Sequence, residues 1–255
     1  MKIATLRHFA AALLLMTLGS ATVAQVQQTT PKPFPYREKL EYRVEWRLIT
    51  AGIAQVEIAP LGPNWQTRLK LESAGMVTRL YRVDDTYRSL TDTKFCGINS
   101  TLEAQEGKRH RLTTLTFDNP KHKLHYEERD LVKNTITSKD TDIASCTHEI
   151  LGALATLRMT HPEPGKTVML PVTDGKKTVM ARIEGQAKET LKLDSKTYQT
   201  VRYEAFLFDN VLYQRKGRLW IWMTDDASHV PVQIRVRLGF PIGSITLTLD
   251  KDEQE

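Results

Sequence analysis

The sequence predicts an all-β protein: a single antiparallel meander forming a curved sheet, half-barrel or closed barrel, with one amphipathic helix at about 147–159. Three observations predict it. Oily and charged side chains alternate every second residue through most of the chain. Clusters of Gly, Asn, Asp and Pro separate the alternating segments at short intervals. One stretch alone carries a convincing helical spacing of apolar residues. Closure of such a meander removes exposed strand edges, which favours a barrel.

The N-terminus reads as a secretory signal over residues 1–24. Lys2 and Arg7 supply positive charge, Phe9 to Leu18 form an uncharged apolar run, and Thr22-Val23-Ala24 offers a cleavage site after Ala24. A spanning helix needs about 20 apolar residues, and Gly19 and Ser20 interrupt this run too early. No cysteine lies near the cleavage site, which argues against a lipoprotein. Residues 25–36, with Pro31, Pro33 and Pro35, read as a flexible leader with too little apolar surface to fold alone. A β-rich domain over 37–252 follows. The mature protein is expected in the periplasm or secreted, without a transmembrane span.

Glu41 to Leu48 gives the clearest strand: even positions are apolar and odd positions charged, so one face packs and the other stays wet. The chain turns near Gly52 and returns through Ala54, Val56 and Ile58. Leu61-Gly62-Pro63-Asn64 turns it again into Leu69 and Leu71. Met76 to Tyr81 reads as a short helical turn. Strands resume at Thr86–Leu90 and Leu102–Phe117, and Asn119-Pro120 leads into Leu124 and Tyr126. The polar segment Asp130–Asp142 reads as a loop or weak strand. Ile150, Leu151, Leu154 and Leu157 then repeat at helical spacing, with Ser145 or Thr147 as the expected cap and Pro162, Pro164 and Gly165 as the stop. Such a helix is expected to plug or cover one end of the sheet. Alternation returns around Leu170, and Asp174-Gly175 marks a hairpin turn. It continues through Ile183, Leu191 and Tyr203, then through strands centred on Trp220, Ile234 and Leu247, about ten strands in all.

The formal net charge is +6 and is spread along the chain. Nucleic-acid binding asks for a concentrated basic patch with interleaved aromatics and is not expected. The densest basic cluster surrounds Lys108, Arg109 and Arg111, either a solvated strand end or a contact for an anionic surface or envelope protein. Export places Cys96 and Cys146 in an oxidising compartment, where a disulfide is expected. Closing that loop stabilises by roughly 3–4 kcal/mol in the chain-entropy picture.

Several short motifs resemble the DUF3108 family of exported bacterial proteins, a domain of unknown function. The matching pieces are Tyr42-Arg43-Val44-Glu45-Trp46 with Ala51-Gly52, Tyr81-Arg82-Val83-Asp84-Asp85, Glu106-Gly107-Lys108-Arg109 and Trp222-Met223-Thr224-Asp225-Asp226. Pro231-Val232 and Pro241-Ile242-Gly243-Ser244 add to them. The resemblance runs from about Arg37 to the C-terminus and implies a β-rich envelope domain without implying an activity. Cys146-Thr147-His148 departs from the aspartate and serine pattern expected at the helix start.

Chemistry-bearing groups are sparse. His122, His125 and Glu127 lie close in sequence, but the neighbouring turn accounts for a polar face, and no metal or cofactor is expected. Gly243-Ser244-Ile245 falls short of a nucleophile elbow. Asp84-Asp85 and Asp225-Asp226 pair carboxylates at segment ends, although adjacent strand residues face opposite ways. Arg218 to Met223 is apolar on both faces, and Phe206 and Phe208 oppose Tyr203 and Leu207. Either helix and loops cover the second face, or it lines a cavity.

Three functions follow in order of preference. The first is a non-enzymatic protein binding a lipid or other apolar or amphipathic envelope component, with Trp46, Phe206, Phe208, Trp220 and Trp222 lining the interior. The second is an interaction or scaffold module using the basic strand. The third is a hydrolase of an envelope polymer working through the paired aspartates.

Overall fold

The computed structural model describes residues 37–254, so the expected signal peptide and leader lie outside the described residues. In chain order the elements are β1 (Glu38–Trp46), β2 (Ile49–Leu61), β3 (Asn64–Ser73), α1 (Gly75–Leu80), β4 (Val83–Thr91), β5 (Gly97–Glu106), β6 (Arg109–Asp118), β7 (Lys123–Asp130) and β8 (Thr135–Asp142), followed by α2 (Ile150–Thr160). The second half holds β9 (Thr167–Thr173), β10 (Thr178–Leu193), β11 (Lys196–Phe206), β12 (Gly217–Thr224), β13 (Pro231–Leu238) and β14 (Ser244–Gln254).

All strands join one 14-stranded sheet in the order β8-β7-β6-β5-β4-β3-β2-β1-β14-β13-β12-β11-β10-β9. Two meanders are thus welded where β1 pairs antiparallel with β14, from Glu38 opposite Gln254 to Trp46 opposite Ile245. The expected alternation holds along β1: Leu40, Tyr42 and Val44 are buried while their odd-numbered neighbours Lys39, Arg43 and Glu45 are more exposed. The sheet has 14 strands rather than about ten, in part because Leu102–Phe117 is two strands, β5 and β6, divided at Gly107. The polar segment after Asp130 is also a full strand, β8, zipped to β7 from Lys123 opposite Asp142 to Asp130 opposite Thr135.

The two edge strands, β8 and β9, do not pair, so no hydrogen-bond ladder closes the sheet. Side chains bridge the seam instead. The β9–β10 turn is pressed against β6 and β7 so closely that a Cβ on Gly175 would lie 2.4 Å from Leu115 Cδ2 and 2.5 Å from Tyr126 Cδ2. Lys176 Nζ lies 3.3 Å from Glu128 Oε2, and Lys139 Nζ donates to the Lys176 carbonyl at 3.0 Å.

The helix α2 lies inside, on the face the sheet curls around. Ala153 and Leu157 pack with Val172, Ile183, Tyr203 and Met223, while Ala155 packs with Ile58 and Phe95. Its cap is Glu149 rather than Ser145 or Thr147: the buried carboxylate accepts from Leu151 N at 2.6 Å and Gly152 N at 2.7 Å. Tyr87 and Ser89 of β4 donate to the same carboxylate at 3.0 and 2.7 Å, which ties the helix start to the wall. At the other end Arg158 is 2 % exposed, and its guanidinium grips Glu38 with bonds of 2.5 and 2.8 Å. The disulfide Cys96–Cys146, with Cα atoms 4.9 Å apart, joins the β4–β5 turn to the segment entering α2.

These anchors gather at one end. Glu38 begins β1, Cys96 lies between β4 and β5, and Ser228, whose carbonyl accepts from Arg158 Nε at 2.7 Å, lies between β12 and β13. An antiparallel meander places alternate connections at the same end. The helix therefore floors the barrel at this closed end. The connections β1–β2, β3–β4, β5–β6, β7–β8, β9–β10, β11–β12 and β13–β14 lie at the opposite, open end. No described helix is long and apolar enough to cross a membrane.

Candidate functional site

Above the floor, side chains that point inward are not fully buried. Leu69, Leu71, Leu102, Leu154, Leu219 and Ile234 all remain partly exposed, and Ile150 on the first turn of α2 is 37 % exposed. A closely packed core leaves few voids larger than a water molecule. Here three cavities share Ile150. One of 230 Å³ is lined by Leu69, Leu71, Asp85, Tyr87, Leu102, Ile150 and Leu151. One of 150 Å³ adds Ser100, Thr113, Leu115, Thr173, Asp174 and Tyr213 to Tyr87, Leu102 and Ile150. One of 100 Å³ lies between Ile150, Leu154 and Leu157 of α2 and Leu207, Leu219, Ile221 and Ile234 of the wall. Aliphatic side chains dominate the 230 and 100 Å³ cavities, whereas the 150 Å³ cavity mixes Leu102, Leu115 and Ile150 with tyrosine, serine, threonine and aspartate side chains.

Asp85 is the most informative of these polar groups. It opposes Leu71 on β3 and Ala104 on β5, so it shares their inward face. Its Oδ1 accepts from Gln105 N at 2.9 Å. Burial, reinforced by nearby Glu106, raises its carboxyl to about 6. Asp84 points the other way. It is paired with Lys70 and, at 3.0 Å, with Arg82, and the Lys70 hydrogen bond holds its carboxyl below the usual range. The second aspartate pair is also split: Asp225 meets Lys188 at 2.8 Å, whereas Asp226 accepts from Thr224 and Ser228 as a turn brace. Among the described residues, none of these four carboxylates shares a hydrogen-bond or ion-pair partner with one from the other pair.

The aromatic residues expected inside are divided. Trp220 and Trp222 alternate with Leu219, Ile221 and Met223, which pack in the inner cluster, so both indoles lie on the outer face. Phe206 is outward as well, with the Arg182 guanidinium 3.7 Å from its ring centre. Both faces of β12 are apolar, so alternation alone leaves undecided which face looks inward. Phe208 lies inward beside Tyr213, 5.4 Å between ring centres, because β11 ends at Phe206 and the chain turns there. Trp46 stands at the open end and donates from Nε1 to the Ile242 carbonyl at 2.7 Å. The sequence does not mark this aliphatic lining, because Leu69, Leu71 and Leu102 read as ordinary core.

The outer indoles belong to a wide groove of 790 Å³ with Lys166, Glu184, Gln186, Arg202, Arg218 and Arg235. It is the larger space, yet its charges mostly satisfy one another. Arg218 forks onto Glu204 at 2.6 and 2.8 Å, which holds that carboxyl low. Arg202 pairs with Glu189, which also accepts from Trp222 Nε1 at 2.9 Å. The interior is therefore the stronger candidate for ligand binding.

Of the basic cluster, Arg111 is engaged by Glu106 at 3.1 Å and Glu128 at 3.6 Å. Lys108 and Arg109 are exposed at the β5–β6 turn. His125 of β7 lies 2.7 Å from Asp140 of the edge strand β8, and both side chains are exposed.

Comparison with known proteins agrees with this architecture. A crystal structure described as a beta-barrel-like protein of domain of unknown function DUF1849 from Brucella abortus is similar over 87 % of this chain and 99 % of that one. The TM-score is 0.58 at 9 % sequence identity, which is a likeness of fold. No curated protein matches the chain. The family model described as a protein of unknown function, DUF3108, matches residues 41–250, the whole span from β1 into β14, and the chain belongs to that family.

Proposed function

We propose that this protein is a non-enzymatic binding protein of the cell envelope, exported to the periplasm or secreted, that holds an apolar chain inside its barrel. The observation that carries the reading is the set of cavities meeting at Ile150, two of them mainly aliphatic, where a floor helix leaves the inner wall only partly covered. Apolar surface kept accessible inside a fold gains free energy when a ligand covers it, about 0.8 kcal/mol for each methylene buried. Tyr87, Asp85, Asp174 and Tyr213 supply polar groups for the head of an amphipathic molecule. A fatty acyl chain with a small polar head is the class that fits this lining. The disulfide supports an oxidising compartment, and the predicted signal peptide supplies the route.

Native mass spectrometry tests this reading on protein purified from its natural host without detergent. Co-purified acyl-bearing molecules that are released by organic extraction are expected. Repeated recovery of the bare polypeptide alone contradicts the reading.

A further inference from the structure

The open end of the barrel has a character that ligand storage does not require. In the β1–β2 turn Leu48 is 94 % exposed, and in the β13–β14 turn Phe240 is 95 % exposed. Between β3 and β4, Met76 and Leu80 of α1 are 60 % and 74 % exposed, and Val132 in the β7–β8 turn is 63 % exposed. At the closed end the comparable residues are Leu61 and Met159, at 52 % and 47 %. Large apolar side chains at successive loop tips on one end of a soluble fold mark an interaction surface.

These tips form one rim. Arg47 Nε donates to the Ile242 carbonyl at 3.1 Å, linking the β1–β2 and β13–β14 turns. Ala74 N donates to the Ala51 carbonyl at 2.8 Å beside α1, Gly107 N to the Arg82 carbonyl at 2.7 Å, and Leu131 N to the His110 carbonyl at 2.8 Å. These bonds fasten five of the turns in series, from β13–β14 through β1–β2, β3–β4 and β5–β6 to β7–β8. Arg47 and Leu48 also hold left-handed φ values of 50° and 70°, a conformation that side-chain-bearing residues rarely adopt.

The same rim is basic. Arg79, Lys108 and Arg109 are exposed and have no carboxylate within ion-pair distance among the described residues, and Arg47 meets the Pro241 and Ile242 carbonyls and the Trp46 ring rather than a carboxylate. Arg82 and Lys133 are offset by Asp84 and Asp130. The opposite end of β14 carries exposed Asp252 and Glu253. Apolar tips among uncompensated cations match an anionic lipid surface, where the tips enter the acyl boundary and the cations meet the phosphates.

We propose that the open rim docks on an anionic membrane surface, turning the mouth of the barrel toward the lipid. The proposal rests on the cavity reading only for its purpose, since docking is measurable by itself. The protein to test is the chain expected after signal cleavage, residues 25–255, which holds every described strand, both described helices and the disulfide.

Co-sedimentation with phosphatidylcholine vesicles, with and without phosphatidylglycerol, decides the matter. The parent is expected to bind the phosphatidylglycerol vesicles, and added salt is expected to weaken binding by screening. The double variant L48S/F240S and the charge reversal K108E/R109E are each expected to lower the partition coefficient roughly tenfold or more. All four positions are solvent-exposed, so near-ultraviolet circular dichroism should be unchanged. Failure of the parent to bind, or a variant that binds as the parent does, overturns the proposal. A protein partner held without any vesicle binding overturns it too. A fluorescent fatty acid titrated without vesicles separates the two ideas: failure of the parent to take it up counts against the cavity alone.

Discussion

Asp85 stands among Leu69, Leu71, Leu102 and Ile150, a half-buried carboxyl on an aliphatic wall. Burial raises its ionisation to about 6 from an ordinary 3.8. Between those values the folded protein holds more proton than the unfolded chain, so stability is present below about pH 4 and falls as the pH rises through about 6. Asp85→Asn keeps a carbonyl oxygen for Gln105 N. It should flatten this slope in urea titrations run across the interval. Above pH 6 it should also stabilise by about 1 kcal/mol, a figure discounted for the group's partial exposure. The sequence placed Asp84 and Asp85 on opposite faces, which their separate partners bear out. It carried no sign of which one looked inward, because that depends on how strands β3 to β5 curl.

At the scale of elements, α2 is held by charge at both ends. Arg158 and Glu38 are almost completely buried, joined by two hydrogen bonds, and Arg158 also reaches the Ser228 carbonyl. Arg158→Ala leaves Glu38 buried without its cation and is expected to cost about 3–5 kcal/mol, read as a drop in the urea midpoint. The disulfide at the helix entrance adds about 4 kcal/mol for its 50-residue separation in the chain-entropy picture. The helix itself was legible from Ile150, Leu154 and Leu157, and its arrest at Pro162 from proline chemistry. Its cap was not. Glu149 is an unusual capping residue, and it works here because Tyr87 and Ser89 complete its bonding from a distant strand. Strand β8 was obscured because it has two wet faces: nearly all of Thr135 to Asp142 is exposed, so no alternation reports it.

For the whole molecule, alternation in β1, β3 and β13 announced an antiparallel sheet, and the family motifs fall within the span that the family model matches. Whether the interior was full or empty was not written there. Leu69 and Leu71 alternate with charges in the same way over a packed core as over a cavity. Similarly, Trp220 and Trp222 look like lining residues until the inner face of β12 is assigned to Leu219, Ile221 and Met223; Trp222 is buried instead in a cluster with Leu193 and Val232. The result is a cup: a sheet closed by side chains at its seam, floored by α2, lined with aliphatic groups and rimmed with exposed apolar tips. Ile150, shared by all three cavities, is the residue whose enlargement fills that space from below. Titration of a fluorescent long-chain fatty acid into the parent and into Ile150→Trp is the direct measurement. Saturable binding by the parent is expected, with affinity reduced roughly tenfold or more in the variant while its thermal midpoint is retained. Equal affinity in both proteins, or no saturable binding by the parent, would contradict the account.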